Sequence, residues 1–220
     1  MTITDDQVLD LFADCLAGEP CTVSGLGLAA QTIPVSRWIG DADASDRTVL
    51  AHCGSPTIDL GCGPGRMSEQ LARDGVDVLG VDVAAEAVAQ ARARGVNAIH
   101  GDVFGALPRE GAWGTALLAD GNIGIGGDPV RLLRRVRRLL APHGQVVVDL
   151  APAGAGLTVG LVRIHAGSRT SQSFPWAVVG ADAVADVAAA AGLSVRDVHE
   201  YDGRWFAVLV RKEIPDPCLS

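Results

Sequence analysis

The chain alternates short, continuous apolar runs with longer segments in which apolar residues recur every three or four positions. Continuous apolar runs are typical of buried parallel strands, and the three-to-four spacing is typical of helices. The alternation therefore predicts an α/β fold with a doubly wound, mostly parallel sheet. The predicted order is strand 57–60, helix 66–74, strand 76–81, helix 84–94, strand 96–100, strand 114–119, helix 129–140 and strand 145–150.

The last part of the chain departs from this alternation. Residues 193–201 and 204–211 are strand-like runs joined by Asp-Gly, a pair that favours a tight hairpin turn. They complete a seven-stranded sheet with a terminal antiparallel hairpin. A further pair of strand-like runs predicts an inserted β-hairpin at about 151–179, followed by a helix at 182–191.

The first 54 residues are predicted to form a helical N-terminal cap or lid. The pattern Thr4-Asp-Asp-Gln7 is a capping box that opens a helix ending near Ala17, and a second helix is expected at 45–53. Residues 55–212 are then one α/β domain that contains the inserted hairpin, and residues 213–220 are a tail.

Composition narrows the class of protein. With 220 residues, 48% of them hydrophobic, the chain can bury a single sizeable core. No uncharged apolar run reaches membrane-spanning length, and the N-terminus lacks a targeting pattern, so a cytoplasmic protein without membrane contact is expected. The oligomeric state expected is a monomer or homodimer.

Charge and cysteine spacing exclude two further kinds of site. The net charge of −8 argues against nucleic acid as partner. Residues 131–140 carry five arginines, but their helical spacing places them opposite the apolar face, so we expect a solvated helix surface in preference to an anion or RNA site. The five cysteines have no metal-ligand spacing, which predicts reduced thiols and no metal site.

A glycine-rich turn follows the first predicted strand. In Asp59-Leu-Gly-Cys-Gly-Pro-Gly65 the three glycines allow a sharp turn and close approach of a ligand to the backbone. A helix begins directly afterwards, so free N–H groups face the same place. Arg66 occupies the position where a dinucleotide fingerprint needs its third glycine, which disfavours the NAD interpretation.

Two further acids end the next two strands. Asp82 follows the second strand, where a carboxylate can accept hydrogen bonds from both hydroxyls of a ribose. Asp102, beside Val103, follows the third strand and suits the amino group and ring face of an adenine. Together these positions predict an adenosine site.

With these three motifs the chain resembles the class I S-adenosylmethionine-dependent methyltransferases over roughly residues 55 to 212. The glycine turn, Gly80-Val-Asp82 and Gly101-Asp102-Val103 are similar to the family's first three motifs in their usual order. The stretch 139–148 is similar to its turn and fifth strand, although His143 stands where glycine is common.

The resemblance implies a Rossmann-like fold and methyl transfer from S-adenosyl-L-methionine to a small-molecule acceptor, with S-adenosyl-L-homocysteine as product. The residues expected to bind the cofactor are Asp59, Gly61, Cys62, Gly63, Gly65, Asp82, Val83, Asp102 and Val103, which lie in or next to these motifs, and Arg37 of the N-terminal segment.

The acceptor side is expected at the loop after the fourth strand, the inserted hairpin and the N-terminal segment. The residues expected to contact the acceptor are Trp38, Asn122, Phe174 and Trp176. Period-two geometry can place the rings of Phe174 and Trp176 on one face, although packing of the hairpin onto the domain is an alternative role. The glycines at 124–127 indicate either a tight turn or a widened pocket.

Methyl transfer from a sulfonium depends mainly on in-line positioning, so no general base is required. If the acceptor is an alcohol or phenol, Asp120 and His165 are the candidate catalytic bases. Two alternatives remain open: a different S-adenosylmethionine- or nucleotide-dependent α/β enzyme, and a non-catalytic cofactor-binding protein. The acceptor and its reacting atom (O, N or C) are undetermined by the sequence.

Overall fold

The computed structural model describes residues 6–212. In chain order its elements are α1 (Asp6–Leu16), β1 (Cys21–Gly25), β2 (Leu28–Thr32), α2 (Val35–Trp38), α3 (Ala44–Leu50), β3 (Thr57–Leu60), α4 (Arg66–Arg73), β4 (Val78–Asp82), α5 (Ala85–Ala93), β5 (Ala98–His100), β6 (Trp113–Leu118), a 3₁₀ segment (Asn122–Gly127), α6 (Pro129–Leu139), β7 (Leu140–Leu150), β8 (Leu157–Ala166), β9 (Arg169–Thr170), β10 (Phe174–Val179), α7 (Val184–Ala190), β11 (Leu193–Tyr201) and β12 (Arg204–Arg211).

The main sheet has seven strands in the order β11, β12, β7, β6, β3, β4, β5. The five strands β7, β6, β3, β4 and β5 run parallel to one another, and β12 pairs antiparallel with β7. Every residue of β3 and β4 is buried, as expected for strands covered on both faces. The predicted α/β fold, with its terminal hairpin, is confirmed.

Helices cover both faces of this sheet. One core cluster joins the strands to α6 and α7, and a second cluster joins the other face to α3 and α4. Helix α6 begins as its sequence predicts, with the Asp128 side chain accepting a hydrogen bond from Arg131 N–H and Pro129 in the first turn. The strand after it starts at Leu140, earlier than predicted, because the chain extends directly from the helix end.

The N-terminal segment is not a purely helical cap. Strands β1 and β2 form a hairpin, and β1 pairs antiparallel with β8 of the insertion, which in turn pairs with β10. The second sheet therefore has the order β10, β8, β1, β2. Local sequence could not reveal it, because β1 becomes a strand by pairing with residues far away in the chain. The predicted inserted hairpin is present as β8 and β10. Thr4 of the predicted capping box and the 213–220 tail lie outside the described residues.

The prediction of reduced thiols is wrong for two cysteines. Cys15 in α1 and Cys21 in β1 form a disulfide, since the intervening turn brings their Cα atoms to 5.8 Å. Cys53 and Cys62 are free. The bond ties α1 to the second sheet.

The arginine-rich helix α6 is not simply a solvated face. Arg131 lies over the ring of Phe104, Arg134 donates to the Ala190 carbonyl, and Arg135 donates to the Val103 carbonyl. At least three of the arginines thus stabilise neighbouring segments. Among the described residues, the helices are too short or too polar to cross a membrane.

Candidate cofactor and acceptor site

A cavity of about 410 Å³ lies between the carboxyl edge of the main sheet and the second sheet. Its size is in the range of small-molecule sites, and the carboxyl edge is where open α/β sheets bind ligands. Residues from β1, β2, β8, β10 and α1 line one side, and the loops after β3, β4, β5 and β6 line the other.

The glycine turn after β3 forms part of the cavity wall. Gly61 and Gly63 have φ angles of 76° and 55°, and both line the cavity together with Cys62. A Cβ on Gly61 would lie 2.6 Å from Asn122 Nδ2, so glycine is required for the turn and for contact with that loop. Burial raises the pKa of the Cys62 thiol well above its usual value, which disfavours the reactive thiolate form.

Gly65 does not line the cavity and does not belong with the cofactor-binding residues. A Cβ at this position would lie 2.9 Å from the Ala91 side chain, so its absence lets α4 and α5 approach each other. The third glycine of the motif serves helix packing instead of ligand contact.

Asp82 ends β4 at the cavity wall and is 9% exposed. Its two carboxylate oxygens accept hydrogen bonds from Gly63 N–H and Ala84 N–H, both at 2.8 Å. Burial raises the pKa of Asp82, although these backbone donors oppose the shift. Each oxygen keeps a second lone pair, so Asp82 can still accept from ribose hydroxyls. Val83 lines the cavity beside it.

Asp102 and Val103 line the cavity beyond β5. Asp102 Oδ1 accepts a hydrogen bond from Phe104 N–H at 2.9 Å, which fixes the carboxylate at the turn. Val103 is buried and presents an apolar side chain. These two residues have the polar and apolar character that an adenine needs.

Asp59 is not a ligand-contacting acid. It is buried, accepts a hydrogen bond from Ser68 Oγ at 2.7 Å and does not line the cavity. Burial raises the pKa of its carboxyl to about 7, with the nearby Asp120 and Asp82 adding to the shift and Ser68 opposing it. Since strand side chains alternate, Asp59 points under the glycine turn and supports α4.

We expect Asp59→Asn to remove a pH dependence of stability. The folded pKa of about 7 lies above the ordinary value of about 3.9, so the folded state holds the proton more tightly between these pH values. Stability contributed by protonated Asp59 is therefore lost as pH rises from about 4 to 7. Urea unfolding should show that the free energy of unfolding falls less between pH 5 and pH 8 for Asp59→Asn than for wild type. An equal loss in both proteins would contradict the assignment.

A buried charge network lies beside the glycine turn. Arg66, 3% exposed, pairs with Asp46 and with Asp120, where Nη2 and Oδ2 are 2.5 Å apart. Arg204 on β12 pairs with Asp46 and Asp149. Burial would raise the pKa of Asp46, but hydrogen bonds from Arg66, Asp43 N–H and Arg204 outweigh it and hold the pKa well below its usual range.

This network fixes Asp120, which lies in the loop after β6, the fourth loop at the carboxyl edge of the sheet. Asp120 has a φ of 50°, and its N–H donates to Asp149 Oδ2 at 2.7 Å while its carboxylate accepts from Arg66. Asp120 lines the cavity and remains a candidate catalytic residue. Arg66 of α4 therefore holds the Asp120 side chain, and Asp149 of β7 holds its backbone N–H.

Arg37 does not reach the cavity. Its guanidinium donates to Asp46 Oδ1 at 3.2 Å and lies near Asp43, so it belongs to the outer end of the charge network. Its neighbour Trp38 does line the cavity. Adjacent residues of a short helix point in different directions, which separates the two expected roles.

Asn122 contacts both the cavity and the glycine turn. Its Nδ2 donates to the carbonyls of Leu60 and Gly61 at 3.0 and 2.8 Å. The side chain thus joins the fourth loop to the first motif, and it also lines the cavity. Contact with a substrate stays a prediction.

The glycines of the fourth loop make room for β10. A Cβ on Gly124 would lie 2.2 Å from the Ala177 carbonyl oxygen and 2.6 Å from Trp176 Nε1, and one on Gly127 would lie 2.8 Å from Pro175. Close packing of the inserted hairpin therefore requires these glycines. Of the two alternatives, a tight turn describes this loop better than a widened pocket.

We expect Gly124→Ala to destabilise the fold by about 1–3 kcal/mol, because the new methyl group overlaps backbone and cannot rotate away. Gly54→Ala is the matched control: neither glycine has a positive φ, and a Cβ on Gly54 meets Thr115 Oγ1 only at 3.9 Å. Denaturant unfolding of both variants checks this. Equal stability of the two variants would show that β10 does not pack on this loop.

His165 lies on the wrong face of β8 to act in the cavity. Val162 and Ile164 line the cavity, so period-two alternation turns His165 to the opposite face. There Nε2 is 2.7 Å from Ser24 Oγ and Nδ1 is 3.0 Å from Thr170 Oγ1. The prediction of a catalytic role is wrong on this geometry; the histidine links three strands.

Phe174 and Trp176 share one face of β10, and both line the cavity. Their ring centroids are 6.4 Å apart in an edge-to-face arrangement. Phe174 is buried in the cluster that joins α1 to the second sheet, so it also has the packing role considered as an alternative. Trp38 lines the cavity too and packs against Phe12, with centroids 6.0 Å apart.

Sequence reasoning missed the charge network and half of the cavity wall. Arg66 directly follows the last glycine, and Asp43 and Asp46 have capping-box spacing, so local signals for both existed. Phe12, Val23 and the other wall residues of the N-terminal segment had no such signal, because the second sheet that orients them depends on long-range pairing.

Known proteins match the chain in sequence and in fold. Residues 58–144 match a family model described as "Methyltransferase domain". A ubiquinone biosynthesis O-methyltransferase of Xanthomonas oryzae pv. oryzae (strain PXO99A) is 27% identical over 159 residues, which are 69% of this chain and 57% of that protein. The chain thus spans little more than half the length of this curated relative.

Two solved structures show the fold. A methyltransferase from Bacteroides fragilis, in complex with S-adenosyl-L-homocysteine, has a TM-score of 0.77 at 20% identity and covers 96% of this chain and 97% of its own. The 1,6-didemethyltoxoflavin-N1-methyltransferase of Burkholderia thailandensis has a TM-score of 0.60 at 18% identity, with 80% and 81% covered.

Proposed function

We propose that the chain is a class I S-adenosylmethionine-dependent methyltransferase, which transfers the methyl group of S-adenosyl-L-methionine to a small-molecule acceptor. The observation that carries the proposal is the convergence of Gly61, Gly63, Asp82 and Asp102 on one cavity. The Bacteroides fragilis neighbour contains the product S-adenosyl-L-homocysteine, which supports the same cofactor here.

The cofactor's position follows from the chemistry of the wall. Asp82 would accept hydrogen bonds from the ribose hydroxyls, and Asp102 with Val103 would hold the adenine. Gly61 and Gly63 would accommodate the methionine part, and the Asp120 carboxylate would suit its ammonium group. Trp38, Asn122, Phe174 and Trp176 line the rest of the cavity and would contact the acceptor.

Catalysis in this arrangement rests on positioning. Holding the acceptor in line with the methyl can supply about 7–11 kcal/mol of the barrier. When bound, the cofactor supplies an electrophilic methyl on a cationic sulfur. The chain's own residues exclude water, through the apolar second sheet, and fix the angle of approach. Of the two predicted bases only Asp120 lines the cavity, and its carboxylate is already paired with Arg66.

Domain organisation follows the same logic. We keep residues 55–212 as the catalytic unit and propose that residues 6–38, with the insertion at 151–179, form its cover over the acceptor side; the rest of the predicted 1–54 cap differs, because α3 packs with α4 against the main sheet. The pairing of β1 with β8 supports treating the two parts of this cover as one body.

Location and assembly also remain hypotheses: a cytoplasmic enzyme, monomeric or homodimeric, without nucleic acid as substrate. The Cys15–Cys21 disulfide argues against the location, because disulfides are rare in reducing compartments. Cell fractionation of the tagged protein distinguishes a cytoplasmic location from an oxidising compartment.

The function is tested by ligand binding followed by turnover. Calorimetry should show S-adenosyl-L-homocysteine binding to the purified protein and no competition by NAD(H). An acceptor screen with methyl-labelled S-adenosyl-L-methionine should then yield a labelled product. Binding of NAD(H) in place of the adenosyl ligand would favour another nucleotide-dependent enzyme, and cofactor binding without any labelled product would favour a non-catalytic protein.

A further inference from the structure

The acceptor half of the cavity differs chemically from the cofactor half. The wall residues contributed by the second sheet, α1 and α2 are apolar apart from a few hydroxyl and amide groups. The ones with the largest apolar side chains are Phe12, Trp38, Ile164, Phe174 and Trp176. Apolar walls of this kind favour ligands that lose little hydration on entering.

Charge is confined to the cofactor half. Of the described residues that line the cavity, the ionised side chains are Arg66, Asp82, Asp102 and Asp120, and all four lie at the carboxyl edge of the main sheet, in α4, at the end of β4 or in the loops. All four already accept or donate hydrogen bonds within the protein, as Arg66 does to Asp120. A charged group on the acceptor would therefore enter an apolar chamber without a partner, which is strongly unfavourable.

The aromatic side chains add a preference for rings. Phe12 with Trp38 and Phe174 with Trp176 form two aromatic pairs, one on the N-terminal segment and one on β10. A flat acceptor can extend such clusters by offset or edge-to-face contact. A sugar-like acceptor would instead leave its hydroxyls facing these rings.

The chamber also offers little help with a proton. His165 is on the opposite face of β8, and the described wall residues of the second sheet, α1 and α2 include no histidine, lysine or glutamate. The Asp120 carboxylate already accepts a hydrogen bond from Arg66. The reacting atom of the acceptor must therefore present a free lone pair without being deprotonated in the site.

From these observations we propose that the acceptor is an uncharged, largely apolar aromatic molecule, methylated at an atom whose lone pair is free near neutral pH, such as an aromatic amine nitrogen. The inference rests on the proposed function. In the reaction the nitrogen lone pair forms the new N–CH₃ bond, the S–CH₃ bonding pair stays on sulfur to give S-adenosyl-L-homocysteine, and the nitrogen's proton is lost to solvent afterwards.

Three amines of different polarity test this with the wild-type protein loaded with S-adenosyl-L-homocysteine: 2-aminonaphthalene, 6-amino-2-naphthoate and glucosamine. Calorimetry should show 2-aminonaphthalene binding at least tenfold more tightly than the naphthoate, and no binding of glucosamine. Trp176→Ala should weaken the aminonaphthalene at least tenfold while S-adenosyl-L-homocysteine affinity stays within twofold. Trp205→Phe, on β12 and outside the cavity, is the control variant.

The proposal is overturned if the naphthoate or glucosamine binds as tightly as the neutral ring, if none of the three binds, or if Trp176→Ala leaves binding of the neutral ring unchanged. Failure of the wild-type protein to bind S-adenosyl-L-homocysteine would instead contradict the proposed function. The two failures are thus measured separately.

Discussion

Asp82→Ala is expected to weaken S-adenosyl-L-homocysteine binding by at least tenfold and to reduce turnover at low cofactor concentration. Charge-assisted hydrogen bonds of the kind proposed between Asp82 and the ribose are worth about 1.5–3 kcal/mol, and about 1.4 kcal/mol is a factor of ten in affinity. The effect is enlarged because the variant also loses the carboxylate that accepts from Gly63 N–H and Ala84 N–H, the donors that shape the turn.

Calorimetric titration of the folded variant measures the loss. The control is Asp77→Ala, just before the opposite end of the same strand, where the carboxylate pairs with Arg109 on the surface. Exposed pairs contribute little, so this control should bind the ligand like wild type. If the folded Asp82→Ala protein binds S-adenosyl-L-homocysteine with wild-type affinity, the proposed contact between Asp82 and the ribose is wrong.

Arg66→Met should produce the largest loss of stability, about 3 kcal/mol. Removing one partner of a buried ion pair typically costs about 3–5 kcal/mol, because the other charge is left buried without compensation. We expect the lower end, since Asp46 keeps its pairing with Arg204 and the Asp120 side chain is 23% exposed. The released Asp120 should also lower turnover.

Arg73→Met is the matched control for this prediction. It lies on the same helix, is 57% exposed and pairs with Glu69 at i,i+4 spacing, a contact worth about 0.2–0.5 kcal/mol. Urea unfolding compares the two variants. Similar stabilities would show that the Arg66 network contributes nothing beyond a surface pair.

The parts of the site that depend on local sequence could be predicted. A buried strand, a turn that needs glycine and an acid at a strand end are neighbours in the chain, so the sequence predicts that Gly61, Asp82 and Asp102 lie at strand ends, and all three line one cavity. Their convergence follows from parallel strand order, because the carboxyl ends of such strands meet at one edge.

The errors arise where distant pairing decides the direction of a side chain. His165 is adjacent to wall residues in sequence, but the register of β8 against β10, which aligns Val162 with Phe174, turns it outward. Arg37 is adjacent to Trp38 but points away from the cavity, because its guanidinium donates a hydrogen bond to Asp46 of α3. The motif predicts a ligand contact for Asp59, whereas the alternation of side chains along β3 directs its carboxylate to Ser68.

The most direct test of the account is the structure of the protein crystallised with S-adenosyl-L-homocysteine. We predict the ribose hydroxyls within hydrogen-bond distance of Asp82, the adenine beside Asp102 and Val103, and the sulfur facing the chamber that contains Trp176. A ligand bound outside this cavity, or bound with its ribose away from Asp82, would contradict the account.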